Sequence, residues 1–176
     1  MDISIEEYRP EDLEQMLSIW NEVVAEGLAF PQDHAETPQG AAEFFGSQSF
    51  CGVARENSSG KLAGLYILHP NNVGRCGHIA NASYAVASHA RGRGIGRLLV
   101  GHSLEMAKKL GFRIMQFNAV TTDNAAANRL YPQLGFKKLG TIPGGYRRDN
   151  DQYQDINLYY IDLASKDGSA PGSGRV

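Results

Sequence analysis

The run Arg91-Gly92-Arg93-Gly94-Ile95-Gly96-Arg97 constrains this chain more than any other seven residues. It lies between an apolar run ending near Val86 and an amphipathic run from Leu98 to Leu110. A strand must therefore pass into a helix through a turn from which three alternating glycines strip the side chains. Such a turn leaves backbone N–H groups unpaired at a helix N-terminus, beside the positive end of the helix dipole. An anion, above all a phosphate, is the natural occupant. Arg91, Arg93 and Arg97 add positive charge at the same spot.

Spacing excludes two familiar glycine loops. A Walker-type loop ends in Gly-Lys-Ser/Thr, which does not occur in this sequence. The dinucleotide fingerprint needs a third glycine three places after the second, and those places hold Arg97 and Leu99. A nucleotide-bearing ligand other than NAD is the reading that remains.

The chain has 176 residues, of which 42% are apolar, enough for one packed domain over 1–163. Residues 164–176, rich in Ser, Gly and Pro, read as a disordered tail. A formal net charge of −2 and a pI near 6.2 speak against a nucleic-acid binder, which carries a basic excess. The basic residues are local instead, with Arg91, Arg93, Arg97, Lys108, Lys109 and Arg113 facing only Glu105 across that interval. Two cysteines, Cys51 and Cys76, provide neither a disulfide framework nor metal-ligand spacing. The N-terminus lacks the cationic start and apolar core of a signal peptide. No apolar run approaches the ~20 residues of a membrane span. The expectation is a cytoplasmic protein with no nucleic-acid, membrane or metal partner.

Ile3 and Ile5 alternate with polar neighbours as in a short strand, and Pro10-Glu11-Asp12 opens a helix with Leu13, Met16, Leu17, Trp20, Val23 and Val24 on its apolar face. Gly27 and Pro31 end it, and a second helix covers Pro38 to Phe45. Phe50 to Arg55 and Leu62 to Leu68 form a predicted hairpin. A strand from His78 to Val86, a helix over 97–110, a strand from Arg113 to Val120 and a helix capped by Asp123 or Asn124 and running to Leu134 follow. The chain ends with strands from Phe136 to Ile142 and from Ile156 to Leu163, joined by a turn at Pro143-Gly144-Gly145. This order predicts an α/β (α+β) fold, a mixed sheet with helices on both faces.

The order strand, Arg-x-x-Gly-x-Gly, helix, strand, Asn-x-x-Ala-x-x-Leu-Tyr-x-x-x-Gly-Phe resembles the GNAT superfamily of N-acetyltransferases. Its second element stands here as Asn124, Ala127, Leu130, Tyr131, Gly135 and Phe136. The resemblance covers Ile3 to Leu163. It implies a mostly antiparallel sheet of six to seven strands with a splayed parallel pair and about four helices, the acyl-CoA N-acyltransferase fold. It also implies acetyl-CoA as co-substrate, bound where strands 78–86 and 113–120 part. Backbone groups of Tyr84, Ala85 and Val86 would pair with the pantetheine arm. The amides of Gly92, Arg93, Gly94, Ile95, Gly96 and Arg97 would hold the pyrophosphate beside Arg91 and Asn124.

Acetyl transfer requires a neutral amine, a polarised carbonyl and a stabilised thiolate. A freed N–H, expected at Val86, can polarise the carbonyl, a contribution of ~2.7–4 kcal/mol for such a donor. Tyr131 matches the family's leaving-group tyrosine. Full proton transfer from a phenol near ~10 to a thiol near ~8.5 runs uphill by ~2 kcal/mol, so a hydrogen bond to the thiolate is the less demanding role. The strand before the cradle lacks the family's frequent glutamate, leaving His78 as one possible base and an unassisted, weakly basic amine as the other.

Asn81 and Asn118 interrupt apolar strands, and each buried amide needs a protein or ligand partner. Met115 to Asn118 and Leu139 to Gly144 resemble a branch that acetylates small amino or imino acids such as azetidine-2-carboxylate. By that resemblance Asn81 and Asn118 would contact the acceptor, at its carboxylate. Many members of the branch carry Trp at the position of Tyr131. Phe30, Tyr146 and Tyr153 could wall the acceptor site, while Trp20 belongs to the core. The resemblance also allows a homodimer. A peptide acceptor and a catalytically weak acetyl-CoA-binding module remain the alternatives to a small-molecule enzyme.

Overall fold

The computed structural model describes residues 2–148 and 151–164, so residues 165–176 of the expected tail lie outside the described residues. Seven strands form one sheet in the order β1-β2-β3-β4-β5-β7-β6. They are β1 (Ile3–Glu7), β2 (Phe50–Glu56), β3 (Leu62–Pro70), β4 (Ile79–Val86), β5 (Ile114–Thr121), β6 (Lys137–Arg147) and β7 (Tyr153–Asp162). Every neighbouring pair is antiparallel except β4 with β5. Four helices accompany them: α1 (Leu13–Glu26), α2 (Pro38–Gly46), α3 (Ile95–Lys109) and α4 (Ala125–Gln133). The expected class, strand number and single parallel pair agree with this architecture.

β3 is buried on both sides from Leu62 to Leu68, so the middle of the sheet needs cover on both faces. Tyr66 and Tyr84, cross-strand partners, reach His102 and Ser103 of α3 and define one face. Leu65 and Ile67 point the other way, toward the layer of α1 and α2. Trp20 of α1 is buried there, stacked on Phe30 at 4.2 Å and set against Phe44 and Phe45.

The helix cores fall where periodicity places them, with a shift at one end that bears on function. α3 begins at Ile95, not at residue 97, because Gly94 caps it from the left-handed region at φ 78°. Gly96 and Arg97 therefore belong to its first turn. The predicted turn at Pro143-Gly144-Gly145 is a correction. β6 continues through these residues to Arg147, and they form a bulge in which four steps from Ile142 to Tyr146 face two on β7. Gly145 is needed because a Cβ there would sit 2.5 Å from Ile156 Cγ1.

Candidate active site

β4 is an antiparallel partner of β3 along its whole length, but it pairs with β5 only at Ile79 and Ala80. Beyond Ala80 the two parallel strands part. The N–H of Asn71 binds Ile79 O, and the N–H of Ala87 binds Ala63 O, so odd-numbered residues of β4 turn their backbone polar groups toward β3. Strand alternation then turns those of Ala82, Tyr84 and Val86 toward the gap. Arg91 Nε engages the Val86 carbonyl at 3.2 Å, which leaves the Val86 N–H on the open edge. Ala85, expected beside Tyr84 and Val86, faces β3 instead: its carbonyl lies 2.7 Å from where a Cβ on Gly64 would stand.

A bulge keeps the gap open from the other side. Between Phe117 and Val120 β5 takes three steps against two on β7, and Asn118 and Ala119 are pushed into the cleft. The result is a cleft of about 700 Å³. Such a volume lies within the range of small-molecule and cofactor sites.

The glycine turn forms one end of this cleft. Gly92 and Gly94 both have positive φ, at 75° and 78°, and space on their Cα side is open. The first α-helical bond of α3 runs from Leu98 N–H to Gly94 O at 3.3 Å. The N–H groups of Ile95, Gly96 and Arg97 thus have no intrahelical acceptor and mark the positive end of the dipole. Arg91, Gly92, Gly94, Ile95 and Gly96 line the cleft, whereas Arg93 and Arg97 do not. The arginines are individually engaged: Arg91 pairs with Glu26 at 2.7 Å, Arg93 with Glu56 at 2.6 Å, and Arg97 donates to Gln133 Oε1. Positive potential at the cradle therefore comes chiefly from the helix end, with the carboxylates offsetting two of the guanidinium charges.

Tyr131 lines the opposite wall, packed against Phe117, Phe136 and Tyr159 with ring centroids 4.6 to 5.6 Å away. Burial pushes its phenol well above the usual tyrosine range, with Tyr159 adding to the effect. Among the described residues no group hydrogen-bonds its hydroxyl. α4 is anchored so that this side chain is held. Asn124 caps it by accepting from Ala127 N–H at 3.1 Å. Asn128 Oδ1 accepts from Asn157 Nδ2 at 2.7 Å and from the Tyr159 hydroxyl at 2.9 Å, tying α4 to β7. Tyr84 is also raised by burial, and it donates at 2.7 Å to Ser103 Oγ, whose own proton goes to Val100 O.

Asn81 and Asn118 both line the cleft, but neither is the buried amide expected: Asn81 is half-buried and Asn118 exposed, and they share a protein partner that sequence reasoning missed. Asn71, at the end of β3, accepts from Asn81 Nδ2 at 3.4 Å and from Asn118 Nδ2, while Gln116 Nε2 donates to Asn118 Oδ1 at 2.9 Å. Phe30 lines the cleft and Tyr146 supports it by donating to Phe30 O at 2.7 Å. Tyr153 is 67% exposed and stands outside the cleft. His78 is exposed at the closed end of β4 and is not part of the cleft wall, whereas His69, which no spacing singled out, is. Among the described residues no group of three His, Cys, Asp or Glu could hold a metal, and no helix is long and apolar enough to cross a membrane.

A sheet whose single parallel pair splays beside a glycine-capped helix N-terminus is the acyl-CoA N-acyltransferase fold. The chain belongs to the acetyltransferase (GNAT) family, whose model matches residues 13–136. It is 30% identical to a GCN5-related N-acetyltransferase from Kribbella flavida, with a TM-score of 0.84 over 92% of this chain and 98% of that one. A GNAT superfamily phosphinothricin acetyltransferase from Sinorhizobium meliloti, solved in complex with AcCoA, shares the fold at a TM-score of 0.86 and 20% identity, over 99% and 95% of the two chains. N-acetyltransferase aca1 of Schizosaccharomyces pombe is 34% identical over 105 residues, covering 59% of this chain. The match spans about half the length of that curated relative.

Proposed function

We propose that this chain transfers the acetyl group of acetyl-CoA to the amine of a small molecule, with an amino or imino acid as the acceptor class. One observation carries the reading: free strand-edge groups at Tyr84, the free N–H of Val86, free helix amides at Ile95 and Gly96 and an unbonded phenol at Tyr131 share a single cleft. A pantetheine arm carries amide groups that extend the β4 ladder, and a pyrophosphate suits the helix end. Bound acetyl-CoA supplies an activated acyl group. The arm passes Val86 before it reaches the Phe117 ring that Tyr84 and Tyr131 share, so the Tyr84 N–H, deeper in the gap than the expected Val86 N–H, is the donor to a developing oxyanion. The Tyr131 hydroxyl acts as a hydrogen-bond donor to the thiolate, since its raised pKa disfavours giving up the proton outright.

The acceptor side favours a small polar molecule. Asn118 retains a second amide hydrogen for a carboxylate, and Phe30 and Pro31 add apolar lining to the same cleft. The test is thiol release by the purified chain with acetyl-CoA and a panel of amino acids, imino acids, polyamines and peptides. Turnover on amino or imino acids is expected. Turnover confined to peptides overturns the acceptor class, and acetyl-CoA binding without turnover on any amine overturns the enzymatic reading.

A further inference from the structure

An amine that attacks a thioester must shed a proton, and β4 offers no carboxylate to receive it. We infer that His69, one strand away on β3, is the general base, taking the amine proton at Nε2 while Asn81 Oδ1 orients the same nitrogen. This rests on the acetyl-transfer reading above.

Three observations support it. First, His69 and Asn81 are direct cross-strand partners, so their side chains stand on the same face, with Cβ atoms ~4.5–5.5 Å apart for such a pair. That face is the one shared by Leu65 and Ile67, toward α1, and both His69 and Asn81 line the cleft. Second, His69 Nδ1 lies 3.0 Å from the Pro70 carbonyl. A carbonyl only accepts, so in the neutral ring the proton sits on Nδ1 and Nε2 carries the lone pair. Third, Asn81 spends Nδ2 on Asn71, which leaves Oδ1 as an acceptor without a hydrogen bond among the described residues. Two adjacent acceptors match the N–H groups of an amine and mismatch a carboxylate. This places the acceptor nitrogen at Asn81 and its carboxylate nearer Asn118.

The two carboxylates that line the cleft are already paired. Glu26 pairs with Arg91 at 2.7 Å, and Asp123 pairs with Arg148. His69 is half-buried, so a proton it takes can pass on to water. In the step itself the N–C bond forms, the C–S bond breaks with its electron pair going to sulfur, and the amine proton moves to Nε2. The imidazolium then releases that proton to solvent, from which the thiolate is protonated, and the balance is neutral.

The experiment compares the parent chain with His69→Gln and His69→Ala, using thiol release with a responsive amine, calorimetric acetyl-CoA affinity, and 15N NMR of the His69 ring. Expected is a ~10²–10⁴-fold fall in kcat with acetyl-CoA affinity unchanged. Added imidazole restores part of the rate in His69→Ala, and the ring proton resides on Nδ1. Variants within threefold of the parent overturn the inference and leave the acetyltransferase reading intact. A loss that imidazole does not restore, an equal loss of acetyl-CoA affinity, or a proton on Nε2 overturns it as well. A parent chain inactive on every amine overturns both.

Discussion

Replacing Tyr131 with Phe separates two roles for the phenol that are otherwise easily confused. The hydroxyl makes no hydrogen bond to another described residue, so its loss orphans no partner, and the ring keeps its contacts with Phe117, Phe136 and Tyr159. The melting temperature should therefore hold, as should acetyl-CoA affinity. What disappears is one hydrogen bond to a developing thiolate, worth ~1.5–3 kcal/mol for a charged acceptor. At ~1.36 kcal/mol per tenfold, kcat should drop by about 10- to 150-fold. Burial holds the phenol above the usual tyrosine range, so it keeps its proton even near ~10, where an exposed tyrosine ionises. The parent and Tyr131→Phe profiles of kcat against pH should consequently run parallel on the alkaline side. The assay is steady-state thiol release at saturating acetyl-CoA. A kcat within twofold of the parent, or an alkaline limb present in the parent and missing in the variant, would refute the reasoning.

Three further outcomes follow from the geometry. Gly94→Ala places a Cβ at φ 78°, which costs ~1–2 kcal/mol, and should lower the midpoint of urea unfolding while weakening acetyl-CoA in calorimetry. Arg55→Ala leaves Asp12, 2% exposed and held by both Nη2 contacts at 2.8 Å, without its countercharge; unfolding free energy should fall by ~3–5 kcal/mol in denaturant titration. The Arg55 hydrogen bond holds the Glu6 carboxyl below the ordinary glutamate range, so its stabilisation is present above the unfolded value and is lost as pH falls through the folded one. Stability followed by circular dichroism should therefore decline with acidification below about pH 4.5, and less steeply in Glu6→Gln.

What the sequence makes legible follows from how local each signal is. The glycine turn is readable because glycine alternation, flanking strand and flanking helix lie within some thirty residues, and Gly92 and Gly94 take the left-handed conformation such a turn needs. Pro143-Gly144-Gly145 misleads because turn formers and bulge formers are the same residues; only the register against Ile156 distinguishes them. His69 and Asn71 are illegible for a different reason. Their meaning depends on which β4 residue stands opposite, and pairing across eight to twelve positions has no signature in composition. Arg93 and Arg97 show the same limit: their charge is evident in the sequence, but their partners Glu56 and Gln133 are brought up by other elements.

The central claim is that the β4–β5 gap receives acetyl-CoA. A crystal structure of the chain with acetyl-CoA tests it most directly. The pyrophosphate should lie within hydrogen-bond reach of the Ile95, Gly96 and Arg97 amides, with the pantetheine arm along Tyr84 and Val86 and the thioester facing Tyr131. Density for the nucleotide anywhere outside this cleft, or a β4–β5 pair that closes beyond Ala80, would contradict it.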